Sequence, residues 1–320
     1  MTAKYQQAFD AIKKSNNILL ITHYRPDGDA LSSLCAMTDL METLEKKYTA
    51  WCFDRPPEQF GFLPRLENIK SDLNELQFET RDLIISLDCG SVARTKINEQ
   101  IISRAESQIY IEFDHHPKTD DYADIEIRQP NLSSTCEVLY NFFKANNQKL
   151  SKNVANCLLT GIMTDTGNLL YPSTTDETVK ISAELLRRGA RFPTIVENTW
   201  RNKSLAAMKI WGRAMDRLVI NKKYKLAITV LEHQDISASG VSDEEFEGIS
   251  GFLSSISGAD ALLFLREEIP GEIRGSLRGI HPKSDVSLFA RKLGGGGHAK
   301  ASGFVLKGNL AKTEKGWQVI

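Results

Sequence analysis

An alternation of buried strands and helices limits the fold of this sequence more than any other feature. Four apolar runs have the length of a strand: "NILLIT" (17–22), "TAWCF" (49–53), "DLIISLD" (82–88) and "QIYIEFD" (108–114). Two of the segments between these runs, 29–47 and 91–107, have apolar residues at the spacing of a helix. Strands that alternate with helices form βαβ units. The sequence therefore predicts an α/β fold whose N-terminal domain has a mostly parallel sheet with helices on both faces.

The rest of the sequence divides into a helical part and a second α/β part. Helical patterns continue through 133–190, and a polar helical segment covers 191–221. Strand patterns then return at 224–232, 260–269 and 272–280, followed by a short helix at 284–293 and the stretch "GGGGHAKASGFVL". We predict an N-terminal domain over 1–190, a helical linker over 191–221, and a smaller α/β domain over 222–320 that lies across a cleft from the first.

The charge balance argues against a large basic surface for long nucleic acid. With 40 basic and 41 acidic residues the formal net charge is −1, so no global field attracts DNA or an anionic membrane. No apolar run approaches the roughly 20 residues of a membrane-spanning helix. The five cysteines are scattered and include no CxxC pair, which is typical of reduced thiols. We expect a cytoplasmic protein that binds neither membranes nor long DNA.

Acidic and imidazole side chains follow three of the predicted strands. His23 comes after the first strand, Asp88 ends the third, and "DHH" (114–116) ends the fourth. Because open α/β sheets bind ligands at the carboxyl ends of their strands, we expect these groups to meet at one edge. Taken singly, each has an ordinary explanation, since an aspartate at a strand end also caps helices. Their agreement with one topology is the argument for a site.

Six such side chains form a ligand set of oxygen and nitrogen atoms: His23, Asp27, Asp29, Asp88, His115 and Asp165. Mixed ligands of this kind suit Mn²⁺, or another divalent ion that accepts octahedral geometry, better than structural zinc. Six side chains exceed what one tetrahedral ion needs, but they suit two ions that share a bridging carboxylate. Two ions about 3.5–4 Å apart can generate a hydroxide and stabilise both oxygens of an in-line phosphoryl displacement.

Four motifs in this order resemble the DHH phosphoesterase superfamily: "HYRPDGDA" (23–30), "LDCG" (87–90), "DHH" (114–116) and "TGIMTDTG" (160–167). The stretch "GGGGHAKASGF" (294–304) resembles the DHH-associated C-terminal domain of the same superfamily. The two-domain plan is most similar to the NrnA-like group of oligoribonucleases (nanoRNases) with pAp phosphatase activity. The resemblance implies a Mn²⁺-dependent hydrolase with a DHH catalytic domain and a DHH-associated substrate-binding domain.

The resemblance also implies how the ligands divide between two manganese ions: His23 and Asp27 on one, Asp29, His115 and Asp165 on the other, and Asp88 as the bridge between them. His116 would act as a catalytic group that contacts the scissile phosphate, and Asp114 would support the site from behind the ligands. A hydroxide held by the two ions would attack phosphorus.

The glycine-rich stretch near the C-terminus has a physical use of its own. Four consecutive glycines, 294–297, let the backbone approach an anionic group and turn its N–H groups towards it. A charged side chain nearby adds contacts to a phosphate or a base. A glycine run alone is more often a flexible loop. The resemblance implies that this loop, together with Arg278 of the preceding strand pattern, binds the far end of the substrate. The loop residues concerned are Gly295, Gly296, Gly297 and His298.

The predicted substrate is a short nucleotide chain. A near-neutral protein favours very short RNA, about two to five nucleotides, or pAp, over long DNA, which requires a basic groove. The alternative within the same chemistry is a cyclic-di-AMP or pApA phosphodiesterase, because the ligand set does not separate the two. A family II inorganic pyrophosphatase lacks the glycine-rich end. An alternative outside the enzymes is a non-catalytic nucleotide-binding module on the same fold. The sequence does not determine the oligomeric state, and a homodimer is one option.

Overall fold

The structure, a computed structural model, describes residues 1–119, 121–241, 243–246, 248–314 and 316–320. The chain forms two compact units, Met1–Arg201 and Asn202–Ile320. The segment predicted as a helical linker contributes one helix, Phe192–Thr199, to the first unit and another, Leu205–Asp216, to the second. The predicted domain limits at 190 and 222 stay a prediction.

The first unit contains the parallel sheet that the strand–helix alternation predicts. Its strands are β1 Ile18–Ile21, β2 Tyr48–Trp51, β3 Ile69–Lys70, β4 Leu83–Leu87, β5 Ile109–Asp114 and β6 Ile125–Arg128. They lie in the order β3-β2-β1-β4-β5-β6, and every neighbouring pair is parallel. From β1 the chain continues outward through β2 and β3, and from β4 it continues outward in the other direction through β5 and β6. The topological switch point of the sheet therefore lies between the neighbouring strands β1 and β4.

Helices cover both faces of this sheet, as predicted. They are α1 Thr2–Lys14, α2 Gly28–Thr43, α3 Asn98–Ile102, α4 Thr135–Ala145, α5 Lys152–Asp165, α6 Asp176–Arg187 and α7 Phe192–Thr199. Alternate residues of β1 enter opposite cores: Ile18 and Leu20 pack with the long helices, and Leu19 and Ile21 pack with α3 and short 3₁₀ turns. Because both faces are buried, the central strands β1 and β4 are apolar along almost their whole length.

One helical prediction in this unit was wrong. The segment 91–107 does not form one helix but a 3₁₀ turn, Val92–Thr95, followed by the short helix α3. Lys96 lies between them with φ +63°, in the left-handed region, and this conformation ends the first turn. Strands β3 and β6 are further elements that the apolar runs did not indicate. β6 has only four residues, two of them charged, so it is too short to form an apolar run.

Close packing of α5 against α2 and α4 depends on one glycine. A Cβ atom at Gly161 would lie 2.5 Å from Oδ1 of Asp29 and would also overlap the sulfur of Cys136. No side chain larger than hydrogen therefore fits where the three helices meet. This approach brings the C-terminal end of α5, which carries Asp165, to the strand ends.

The second unit is a smaller α/β unit with a mixed sheet. Its strands are β7 Val219–Asn221, β8 Leu226–Leu231, β9 Ala261–Ile269, β10 Glu272–Gly279, β11 Gly296–Gly297, β12 Ala301–Lys307, β13 Leu310–Thr313 and β14 Gly316–Val319, and its helices are α8 Leu205–Asp216, α9 His233–Ser237, α10 Ile249–Leu253 and α11 Ser287–Lys292. The sheet order is β11-β12-β10-β9-β8-β7, with β8 and β9 parallel and the other pairs antiparallel; β13 and β14 form a separate hairpin.

Two layers of side chains form the core of the second unit. Helices α8 and α10 pack on one face of the sheet, against Leu262 and Phe264 of β9. Helix α11 packs on the other face, against Leu277 and Phe304. Among the helices of the described ranges, none combines the length and the hydrophobicity that a membrane crossing requires.

Candidate metal centre

The carboxyl ends of three central strands bring the predicted ligands together. His23 follows β1, Asp88 follows β4, and His115 follows β5, so the three residues share one edge of the parallel sheet. Asp27 and Asp29 lie at the start of α2, and Asp165 is the last residue of α5. The structure therefore places all six predicted metal ligands in one region of the first unit.

Within this region the six side chains form two groups around Asp88. In the first group, Nε2 of His23 lies 3.9 Å from Oδ2 of Asp27 and 3.8 Å from Oδ2 of Asp88. In the second group, Nε2 of His115 lies 3.4 Å from Oδ2 of Asp165, 4.0 Å from Oδ2 of Asp29 and 3.5 Å from Oδ1 of Asp88. The ligand atoms within each of the sets His23–Asp27–Asp88 and Asp29–His115–Asp165 lie within 4.8 Å of one another.

Asp88 takes part in both groups with different oxygens. Its Oδ2 faces His23, whereas its Oδ1 faces His115. The residue has φ +62°, and the left-handed conformation is uncommon outside glycine, although aspartate tolerates it better than most residues. Such conformations persist where the surrounding structure enforces them, and they occur often at functional sites. Here the backbone turn directs the carboxylate of Asp88 between the two histidines.

The N-terminus of α4 holds two of the aspartates in place. Backbone N–H groups of Thr135 and Cys136 donate to the carboxylate of Asp29, at 2.6 and 3.0 Å. The hydroxyl of Thr135 donates to Oδ1 of Asp88 at 2.7 Å. A helix N-terminus favours negative charge because its first N–H groups have no partner within the helix. Sequence reasoning missed Thr135. The pattern from Ser134 to Glu137 indicates a helix start, but it does not reveal which carboxylates that start contacts.

Burial and neighbouring charges perturb the pKa values of these aspartates in opposite directions. Burial raises the pKa of Asp29 well above its ordinary value, and the charges of Asp88 and Asp165 raise it further. Burial also opposes ionisation of Asp88, but the adjacent His23, His116 and His115 outweigh it and hold the pKa of Asp88 below its ordinary value. Several carboxylates in one buried space repel one another, and a bound cation relieves that repulsion.

His23 is oriented as a metal-ligating histidine is. Nδ1 of His23 donates to the backbone oxygen of Tyr24 at 2.8 Å, so Nε2 is the ring atom that faces the carboxylates. That Nε2 atom is buried, and among the described residues it has no hydrogen-bond partner. A buried ring nitrogen without a partner is unfavourable, and a cation between it and the two carboxylates would remove that cost. The donor set, nitrogen and carboxylate oxygen throughout, therefore fits a divalent ion of the Mn²⁺ type.

The other predicted catalytic residue, His116, lies beside the second group. Its Nδ1 donates to Oδ1 of Asp114 at 2.9 Å and lies 3.5 Å from Oδ1 of Asp88. Asp114 is fully buried and also accepts the backbone N–H of Gly90 at 2.6 Å. Asp114 thus connects the "DHH" and "LDCG" motifs from behind the ligands.

The predicted substrate-binding residues lie in and beside the strands at one edge of the sheet in the second unit. Gly296 and Gly297 form β11 beside β12, and Arg278 of β10 pairs with Ala301 on the other side of that strand. A Cβ atom at Gly295 would lie 2.6 Å from Cβ of Phe304, whereas one at Gly296 would have open space around it. His298 closes a tight turn by donating its N–H to the backbone oxygen of Ala301 at 2.8 Å. Packing therefore accounts for Gly295, and Gly296 leaves its backbone accessible.

Comparison with known proteins agrees with this geometry. Residues 17–162 match the DHH family, N-terminal domain, and residues 209–315 match the DHHA1 domain. The chain has a DHH domain followed by a DHHA1 domain. These two domains, together with the relatives described next, identify a hydrolase, as predicted, and the resemblance noted from the motifs is confirmed. The acidic and histidine side chains at the strand ends form groups that could hold a metal ion.

Several relatives of this DHH protein match over most of their length. The bifunctional oligoribonuclease and PAP phosphatase NrnA of Bacillus subtilis is 27% identical over 291 residues, which are 90% of this chain and 88% of the relative. The enzyme of the same name from Thermus thermophilus is 26% identical and covers 91% of this chain and 84% of its own. The crystal structure of an exopolyphosphatase-related protein from Bacteroides fragilis matches with a TM-score of 0.84 at 25% identity, over 95% of this chain and 91% of that one.

Proposed function

We propose that this protein is a Mn²⁺-dependent phosphoesterase that hydrolyses very short oligoribonucleotides and pAp. The single observation that carries the proposal is the position of Asp88, whose two oxygens face His23 and His115 respectively. That arrangement suits two ions with one bridging carboxylate. The NrnA relatives, whose names describe an oligoribonuclease and PAP phosphatase, support the choice of substrate.

In this proposal the ligands divide as the two groups do. His23 and Asp27 would hold one ion, Asp29, His115 and Asp165 would hold the other, and Asp88 would contribute to both. When bound, the ions supply an activated water near neutral pH and neutralise the charge that develops on the phosphate. The chain itself contributes fixed ligand positions, because Asp29 is tied to the N-terminus of α4 and Asp88 to the hydroxyl of Thr135.

The residues around the ligands have their own tasks in the reaction. His116 is placed to contact a non-bridging oxygen of the scissile phosphate, since Asp114 holds its Nδ1 and thereby directs Nε2 away from that carboxylate. In the second unit, Arg278, His298 and the backbone of Gly295, Gly296 and Gly297 bind the far end of the nucleotide. We place the reaction in the cytoplasm, where the five free cysteines remain reduced.

The test is turnover of pApA, pAp and cyclic-di-AMP by the purified protein, with and without Mn²⁺, and with Asp88→Ala as the inactive control. We expect Mn²⁺-dependent release of AMP from pApA and of phosphate from pAp, with little opening of the cyclic dinucleotide. Preferential cleavage of cyclic-di-AMP would replace the proposed substrate class with that of the signalling phosphodiesterases. If metal binds but none of the three is cleaved, the proposed function is wrong.

A further inference from the structure

We infer that Arg128 is a positioning residue for His116, acting through Asp114 and through the main chain of the "DHH" motif. The inference rests on the proposed function, since it concerns the residue that would contact the phosphate. Arg128 lies at the end of β6, directly beside Asp114 in the register of β5 and β6. Neither the apolar pattern nor the motifs drew attention to it.

Arg128 contacts the main chain of His116 and the carboxylate that orients its ring. Nη1 donates to the backbone oxygen of His116 at 2.8 Å and to that of Pro117 at 3.3 Å. The same Nη1 lies 3.5 Å from Oδ2 of Asp114. Asp114 in turn accepts both the backbone N–H of His116, at 2.7 Å, and its ring Nδ1, at 2.9 Å. One guanidinium therefore fixes His116 at its carbonyl and, through Asp114, at its imidazole.

A second buried carboxylate explains why this position requires an arginine. Nη2 of Arg128 lies 2.6 Å from Oε1 of Glu112, and the hydroxyl of Tyr122 donates to the same oxygen. Glu112 and Asp114 are two residues apart on β5, so they point to the same face of the sheet. The side chains of Arg128, Glu112 and Asp114 are 4%, 1% and 0% exposed. Without the guanidinium, two carboxylates would share a buried space with no compensating cation.

The planar shape of the guanidinium matters as much as its charge. Nη1 contacts His116 and Asp114, whereas Nη2 contacts Glu112. The two nitrogens therefore make different contacts, one with the "DHH" motif and one with a buried residue of β5. A lysine would keep the charge, but it has a single ammonium and cannot make both sets of contacts with this geometry. Arg128→Lys is therefore the variant that separates charge from position.

The matched control is Arg81→Lys. Arg81 is also buried in the first unit, and its guanidinium donates to the backbone oxygen of Leu76 and to the side chains of Asn17 and Thr49. These contacts lie away from the ligand residues. Both substitutions remove a buried arginine fork, so a general loss of packing affects both variants alike.

The experiment measures kcat and KM for pApA in both variants and in the His116→Ala background. Loss of a residue that supports a catalytic site typically lowers activity 10–100-fold, so we expect Arg128→Lys to lower kcat about 10–100-fold while KM changes little. In the His116→Ala background we expect Arg128→Lys to have almost no further effect. Arg81→Lys should leave kcat unchanged. Equal losses of kcat in the two variants, or full additivity with His116→Ala, would overturn the inference.

A second measurement does not depend on turnover. In protein labelled with ¹⁵N-histidine, the ring signals of His116 are assigned by their loss in His116→Ala. We expect Arg128→Lys to shift them and Arg81→Lys to leave them in place; unchanged signals in folded Arg128→Lys contradict the inference. If the wild type cleaves none of the substrates, the proposed function fails, and this spectrum still decides the role of Arg128. If Arg128→Lys does not fold, Glu112→Gln replaces it, with a smaller loss of kcat expected that also disappears in the His116→Ala background.

Discussion

The substitution Thr135→Val tests whether the N-terminus of α4 organises the metal centre. Valine has the shape of threonine but lacks the hydroxyl that donates to Oδ1 of Asp88 at 2.7 Å. The backbone N–H of residue 135 remains, so the bond to Asp29 is kept. The change therefore removes one hydrogen bond to the shared carboxylate and nothing else that the structure shows.

The size of the effect follows from the burial of both partners. Thr135 and Asp88 are 0% and 2% exposed, so water does not replace the lost donor. A hydrogen bond to a charged group contributes about 1.5–3 kcal/mol to stability, and we expect the free energy of unfolding of the metal-free protein to fall by that amount. Residues that orient metal ligands change metal affinity or activity by roughly 10–100-fold, and we expect Mn²⁺ affinity to fall within this range.

The assays are urea denaturation in the presence of a chelator, and calorimetric titration of the metal-free protein with Mn²⁺. Thr135→Ser, which keeps the hydroxyl, should restore most of the affinity. Thr160→Val is the matched control, because the hydroxyl of Thr160 is bound within α5 to the backbone of Asn156. If Thr135→Val has the stability and Mn²⁺ affinity of the wild type, the hydroxyl does not organise the site.

Three further substitutions and treatments test other parts of the structure. Gly161→Ala places a methyl group against Asp29. We expect the free energy of unfolding, measured by chemical denaturation, to fall by about 1–3 kcal/mol and Mn²⁺ binding to weaken. The control is Gly212→Ala in α8, where the added methyl group has open space around it, and its free energy of unfolding should rise by up to about 1 kcal/mol. Removal of bound metal with a chelator should abolish turnover and lower the melting temperature, and Mn²⁺ at about 100 times its Kd should restore about 2.7 kcal/mol of stability; an unchanged melting temperature would contradict a metal centre. The hydroxyl of Tyr140 lowers the pKa of Glu184 to about 2, with Arg188 and Lys144 adding to the effect. A lowered pKa stabilises the fold above the ordinary glutamate pKa and loses that effect as pH falls towards 2, so Glu184→Gln should cost under about 1 kcal/mol at pH 7 and progressively less in acid, as followed by thermal melts across pH.

The ligand-bearing strand ends could be predicted because their signal is local. Each apolar run ends directly before its polar residue, and the rule that parallel strands share a carboxyl edge places His23, Asp88 and His115 together. Asp165 was selected as part of the "TGIMTDTG" motif, and the structure shows that α5 ends at this residue. The grouping of Asp88 with both histidines is what topology alone would produce.

The supporting residues Thr135 and Arg128 could not be predicted, and the reason differs between them. Thr135 donates to a carboxylate 106 positions earlier, and no periodicity encodes such a contact. Arg128 ends β6, a strand of only four residues of which two are charged, and so short a segment resembles a polar loop in the sequence. The break at Lys96 was missed because a single residue with positive φ leaves no compositional trace when it is not glycine.

The hydrogen bond between Asp29 and α4 has a consequence for how the protein is made. It joins the start of α2 to a helix more than a hundred residues later, and Asp165 lies further on still. During synthesis, the first ligands leave the ribosome long before the elements that complete the site. On the proposed function, ions therefore cannot template the early steps of folding, and tight metal binding would mark the moment at which the whole first unit has assembled.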